Sequence, residues 1–327
     1  MPLRSPLVTA VGIGAETTAG TPVSRTNWAI PMSVSGFVEQ YDYRNIETLR
    51  PGVGTGPDPS DVIRQNNTVT GKITLPMTYD GLGLWLLGCM GAAAVVTTGS
   101  GPYTHKYNRG TTIHHHTIEL IRGDSGVSEV FTGCYFPAFR VVLQQGREAT
   151  IEIDVVAFKA SADRASAGTA TFGSFGALAT NIIAEDDASD LGWNSATYVV
   201  NRQLTLEVEN GFSPVRKVGS RDVVAAIRSS MSPPTMTVAR IEDGDTLYNN
   251  HRKNDVSGQD LTLALSGAGN LAGTVTLRNA RITAYPPQGI SSGDGIAENV
   301  VWSGYPDGSD NALTIQIVND SSSGTAN

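Results

Sequence analysis

Four of the five histidines lie between His105 and His116, three of them consecutive as His114, His115 and His116. Imidazoles at short spacing are common ligands for zinc and copper. The segment reads as an entry to a strand, however, and neighbouring strand residues point to opposite faces, so the run cannot bring three rings to one ion. No HExxH accompanies it, and the nearest carboxylate in sequence is Glu119. Calcium chemistry would need oxygen ligands, offered by Glu185, Asp186, Asp187 and Asp190, or by Asp307 and Asp310. Neither group has the spaced D-x-[DN]-x-[DN]-G pattern, and both read as solvated turns. Glu152 and Asp154 share a strand face, a carboxylate pair of the kind glycosidases use, though alternation in IEIDV accounts for them. The chain has no GxSxG, no Walker A loop and no GxGxxG between a strand and a helix. Cys134, followed by two aromatics, reads as core. The expectation is a protein with no catalytic, metal or cofactor site.

The composition bounds what else it can be. At 327 residues the chain holds two domains or one large one, and 36 Gly, 16 Pro and many Thr, Val and Ser favour strands and turns. A net charge of −8 and a pI near 5.1 argue against a surface that grips nucleic acid or anionic membrane. Two cysteines, Cys89 and Cys134, make no disulfide framework and read as buried thilols of a protein that folds in a reducing cytosol. No apolar run reaches the roughly 18–20 residues of a membrane span. The first residues show no convincing secretion signal.

The elements that must carry any site are organised around Val69–Gly91. Ile73, Leu75 and Met77 alternate with Lys72, Thr74 and Pro76, the period of a half-buried strand. Asp80 stands where a helix N-cap belongs, and Leu82, Trp85, Leu86 and Cys89 form an apolar stripe, so a helix is expected over 80–90. Residues 1–31 read as an extended N-terminal arm, disordered or docked on a neighbour. A first β half spans 32–160, with an irregular loop over 44–67. Residues 161–195 read as a linker, with a short strand near Asn181–Ala184, and 196–327 as a second β half. Sliding the chain by 163 residues superposes Asp80–Gly81 on Asp243–Gly244 and Trp85 on Tyr248, and the order of elements recurs. The expected fold is mainly β: an antiparallel β-sandwich or half-barrel flanked by a short helix, duplicated in two halves.

Four segments carry a resemblance: IGAETTAGTPV (Ile13–Val23), VTGKITLPMTYDGLGLWLLGCMG (Val69–Gly91), the strands from His105 through FTGCYF to Ala160, and LTLEVENGF (Leu204–Phe212). In this order they resemble major tail tube proteins of long, non-contractile-tailed, siphovirus-like bacteriophages; the HHH run departs from the pattern. The resemblance implies a structural virion protein whose rings stack into a tube around a lumen that passes double-stranded DNA without specific binding. It also implies a tape measure protein, a tail terminator and a distal tail protein as partners, assembly in the host cytoplasm, and no membrane. The loop 44–67 and the arm 1–31 are then the candidates for contact between rings, the loop through Arg44, Glu47, Arg50, Asp58, Asp61 and Arg64. A duplicated chain closes such a ring as a trimer and an unduplicated one as a hexamer; the similar lengths of the halves favour the trimer. The competing readings are a β-rich carbohydrate- or receptor-binding module of a tail tip or adhesin, the inner tube of a contractile machine, and an enzyme.

Overall fold

The computed structural model describes residues 8–46, 61–95, 101–122, 127–160, 165–166, 182–184, 187–188, 191–193, 196–198, 203–218, 222–241, 258–284, 297–308 and 311–320. Its first elements are β1 (Val8–Ala15), β2 (Asn27–Ala29), β3 (Ser33–Ile46), β4 (Asp61–Pro76), α1 (Gly83–Met90), β5 (Gly91–Val95) and β6 (Tyr103–Arg109). Then come β7 (His116–Arg122), β8 (Val127–Cys134), β9 (Ala138–Gln144), β10 (Thr150–Ala157), β11 (Lys159–Ala160) and β12 (Ala165–Ser166). The rest are β13 (Leu191–Trp193), β14 (Ala196–Tyr198), β15 (Gln203–Glu209), β16 (Phe212–Arg216), β17 (Val223–Arg228) and β18 (Thr235–Ile241). The chain ends with β19 (Gln259–Ser266), β20 (Ala272–Ala284), β21 (Ala297–Ser303) and β22 (Leu313–Asn319).

One layer is a long antiparallel run in the order β3-β4-β10-β9-β15-β18-β21-β20. Alternation sets its two faces. In β10, Ile151, Ile153, Val155 and Ala157 turn inward while Glu152 and Asp154 turn out, and β4 does the same with Ile73 and Leu75 against Lys72 and Thr74. The other layer has two parts. One is β2-β1-β7-β8, with β11 and β12 along β8; the other is β14-β13-β19-β20-β22-β6-β5. Strand β20 serves both layers. Up to Leu277 it lies between β19 and β22; beyond Asn279, at φ 44°, Arg281–Ala284 pair with β21. One apolar core joins strands of both layers to the helix, so this is an antiparallel β-sandwich, and no sheet closes into a barrel among the described residues.

The helix is set deeper than a surface stripe implies. Leu84, Trp85, Leu86, Gly88, Cys89 and Met90 are all buried, because β1, β5 and β6 pack against the helix and Asn210, from the middle of the chain, donates from Nδ2 to the Cys89 carbonyl (2.8 Å). Asp80 is not its cap. The helix begins at Gly83 with Leu82 as N-cap and no capping side chain; the left-handed Gly81 (φ 84°) puts a turn between the carboxylate and the first helical residue.

Other boundaries also move. Within the expected arm, Val8–Ala15 and Asn27–Ala29 are strands paired in the chain's own sheet. Much of the expected loop 44–67 is strand: Arg44, Asn45 and Ile46 pair with Ile63, Val62 and Asp61, a long hairpin whose polar sequence hides its alternation. Inside the expected linker, β13 adds to β19, and Ile182 bridges Thr78. The counterpart expected for the helix near Asp243 lies outside the described residues.

Candidate assembly interface

Strands β9 and β15 join the two four-strand portions of the long run, from Ala138 opposite Glu209 to Gln144 opposite Gln203. This joint buries Leu204, Leu206 and Val208 beside Phe139, Val141 and Leu143. The ends of the run lack such a neighbour. Among the described residues β3 pairs only with β4, and Arg281–Ala284 pair only with β21. Ser33 stands opposite Thr74 on β4 as Thr205 stands opposite Thr237 on β18. Met32 therefore holds the place of Leu204. Leu204 is 2% exposed and Met32 50%. Among the described residues β9 lies beside Leu204 and no strand lies beside Met32.

A bulge strengthens the contrast. Gly36 (φ 74°) and Phe37 (φ 55°) break the register of β3, which drives Phe37 inward against Phe131 (5.0 Å between ring centroids). Gly71 makes this possible, since a Cβ there would meet the Phe37 ring at 2.3 Å. Val38 is thrown outward and is 62% exposed. With Ile30 and Met32 it makes β3 an apolar edge of the kind folded proteins ordinarily cover.

The outer face of the run is polar. Thr70, Thr74, Thr205, Thr235 and Thr237 share it with Lys72 and Arg140, and with Glu152, Asp154, Glu207 and Glu209. Lys72 lies 3.1 Å from Glu152 and 4.0 Å from Asp154, and Arg140 3.7 Å from Glu207; Arg281, opposite Ser303 on the same face, lies over the Tyr305 ring (5.7 Å). The ion pairs are exposed and contribute little stability. Their effect is to leave a mildly acidic, hydroxyl-rich surface.

Behind the run, the motif residues hold the layers together. Glu16 accepts hydrogen bonds from Gly20 N (2.7 Å), Thr117 Oγ1 (2.8 Å) and Gly133 N (2.9 Å), tying the segment after β1 to β7 and β8. Arg25 pairs with the fully buried Glu119. Asn210 bridges the carbonyls of Cys89 and Phe136. Arg109 donates to the carbonyls of Glu209 and Ser232.

The three histidines go to three different places. His114 contacts the Gly91 carbonyl (3.1 Å), His115 packs on Phe158 (5.0 Å), and His116 lies flat on Phe136 (5.4 Å, 6°), which stacks in turn on Trp85 (6.0 Å). His105 bonds Asn319 (2.9 Å). Among the described residues, no three His, Cys, Asp or Glu side chains group to hold a metal. Burial pushes the His116 pKa from 6.5 down to about 3, and lowers His115 as well. A depressed histidine favours the folded state fully above its unfolded pKa and loses that contribution as pH falls through it. Stability is expected to drop by about 2 kcal/mol between pH 7 and pH 5 on account of His116. Melting curves at the two pH values check this: His116→Phe should flatten the dependence, and an unchanged slope would contradict the assignment.

Of the residues expected at the contact between rings, Arg44, Asp61 and Arg64 stand on the β3–β4 hairpin, and Glu47, Arg50 and Asp58 lie outside the described residues. Glu185, Asp186, Asp190 and Asp310 also lie outside them. Asp187 accepts from Ala184 N (3.0 Å) and faces the Tyr79 hydroxyl (3.4 Å). Both cysteines are free and buried, and burial raises both thiol pKa values. Trp85, Trp193 and Trp302 are core residues and provide no aromatic platform for a sugar. No helix among the described residues is long and apolar enough to cross a membrane. No sequence signal marks Met32 or the sheet edges that are uncovered among the described residues; a methionine in an alternating segment gives no sign of whether a further strand covers it.

A family model described as phage tail tube protein matches residues 7–304. No curated protein matches the chain.

Proposed function

The chain belongs to the phage tail tube protein family, and from that premise we propose that its copies join edge to edge into a ring, with rings stacked around a DNA conduit. It is a structural component of the virion tail. The observation that carries the proposal is the joint at β9–β15 beside two uncovered ends. The first portion of the run is ordered β3-β4-β10-β9, and the second β15-β18-β21-β20. The second layer repeats likewise, β2-β1-β7-β8 against β14-β13-β19-β20. This order supports a duplicated chain in which β9–β15 is an internal copy of the contact between protomers, β20 of one meeting β3 of the next. Such a heterologous contact closes as a ring and removes both free edges.

Size favours three copies. Each contributes the eight strands of the run. Three copies closed at ordinary strand spacing and tilt give a barrel roughly 45–50 Å across between backbones. That leaves room for a duplex inside the side chains. Six copies would double it. The Thr-rich acidic face then lines the lumen, where it repels phosphates and lets DNA slide. The contact with the next ring is assigned to Arg44, Asp61 and Arg64 on the β3–β4 hairpin and to Glu47, Arg50 and Asp58 between these strands in sequence. Tape measure, terminator and distal tail proteins are the partners of a long, non-contractile tail. Electron microscopy of the purified protein at near-physiological salt tests the reading. Hollow tubes with threefold rings are the expected result; sixfold rings would overturn the duplication, and a chain that never assembles would overturn the conduit.

A further inference from the structure

Among the described residues the large exposed apolar side chains fall in only two places. Ile30, Met32 and Val38 mark the β3 edge; Val218, Val224, Ile227 and Met231 belong to the β16–β17 hairpin and its flanks. Ring closure covers the first. The second needs another partner.

The hairpin joins β15 to β18, as the 47–60 connection joins β3 to β4. It folds back on its own chain. Phe212 and Val223 are buried with Tyr135 and Phe158, Arg228 lies over the Phe212 ring (4.7 Å), and Arg216 reaches the Asn67 carbonyl (3.4 Å) and the Thr68 hydroxyl on β4. The hairpin is thus pinned beside the base of the long β3–β4 hairpin. Its position is at the strand ends of the run, not at an edge. In a closed sheet edges face lateral neighbours and strand ends face axial ones. Its charge is also opposite to that of the chain: Arg216, Lys217 and Arg228 stand against Asp222, on a protein of net charge −8.

We infer that the β16–β17 hairpin is a docking surface for a second copy of this chain in the neighbouring ring. Val218, Val224 and Ile227 take apolar groups of that copy, and Lys217 meets its carboxylates. The inference rests on the tube reading and adds the surface on which rings stack. DNA is the poorer occupant, because phosphates do not desolvate valine and isoleucine.

Val218→Asp is the test, with Lys217→Glu as the second variant. Val218 is 100% exposed, so its replacement leaves the fold intact. Melting temperature, ring formation in negative stain and the pelleted tube fraction are measured on the full chain. The expected result is wild-type melting and closed rings, with the tube fraction reduced at least tenfold. Tubes equal to wild type in both variants would overturn the inference while leaving the ring reading in place. So would salt-sensitive binding of a short DNA duplex by wild-type tubes that Lys217→Glu abolishes without affecting assembly. A wild-type chain that forms no rings overturns both readings.

Discussion

Trp85→Ala is expected to cost about 3–5 kcal/mol, the range for removing a large aromatic from a packed core. Domains of ordinary stability hold 5–15 kcal/mol in all, so the variant loses a large share of its folding free energy and is expected in the insoluble fraction. The position explains the size of the effect. Trp85 is fully buried on a helix enclosed by the sandwich, and it stacks on Phe136, which covers His116. Gly88 on the same helix leaves no room for collapse, since a Cβ there would already meet Phe136 at 2.5 Å. Trp85→Phe keeps the aromatic contact and should cost much less. Urea titration of the soluble variants checks the contrast. Equal destabilisation by Phe and Ala would mean that indole volume, and not the stack, holds the helix.

Arg25→Ala is the other large effect. Glu119 is fully buried on β7, and Arg25 is its ion-pair partner. Removing one member of a buried pair leaves a desolvated charge, typically at a cost of about 3–5 kcal/mol. Replacing both members by apolar residues is far milder for the same reason, so Arg25→Met with Glu119→Leu should recover most of the loss. The segment between β1 and β2 is held by this pair, by Glu16 and by the Val23 N–H bonded to Thr117 (3.1 Å). Limited proteolysis should therefore find the Arg25→Ala variant cut between Glu16 and Asn27 sooner than the double variant. A double variant as unstable as the single one would contradict the account.

The legible parts of the sequence were those written in local periodicity. The strand through Ile73, Leu75 and Met77 and the helix ending before Gly91 follow from alternation, stripe and breakers within one window. Asp80 misled because capping depends on the turn that follows, and Gly81 takes the left-handed conformation. The β3–β4 hairpin was hidden for a different reason. Arg44–Ile46 and Asp61–Asn67 are too polar to alternate visibly, and only cross-strand pairing makes them strands. The interface was least legible. Leu204 and Met32 occupy equivalent positions, yet one is covered by β9 and the other uncovered, a difference that arises from pairings distant in sequence.

The central proposal is that β20 of one copy meets β3 of the next as β9 meets β15. That joint sets the register. Ser35 holds the place of Glu207, which faces Arg140. Ile282 pairs with Trp302 as Phe139 pairs with Ile153, and past the bulge at Thr283 it is Ala284, opposite Val301, that stands in the place of Arg140, opposite Glu152. Both Ser35 and Ala284 are exposed, and the two native cysteines are buried. The measurement is therefore a non-reducing gel of assembled Ser35→Cys/Ala284→Cys protein after mild oxidation. The expected result is a ladder of dimer and trimer that ends at the trimer, absent from either single variant. A ladder continuing to six would refute the threefold ring, and assembled tubes that form no cross-link would refute the β3–β20 contact.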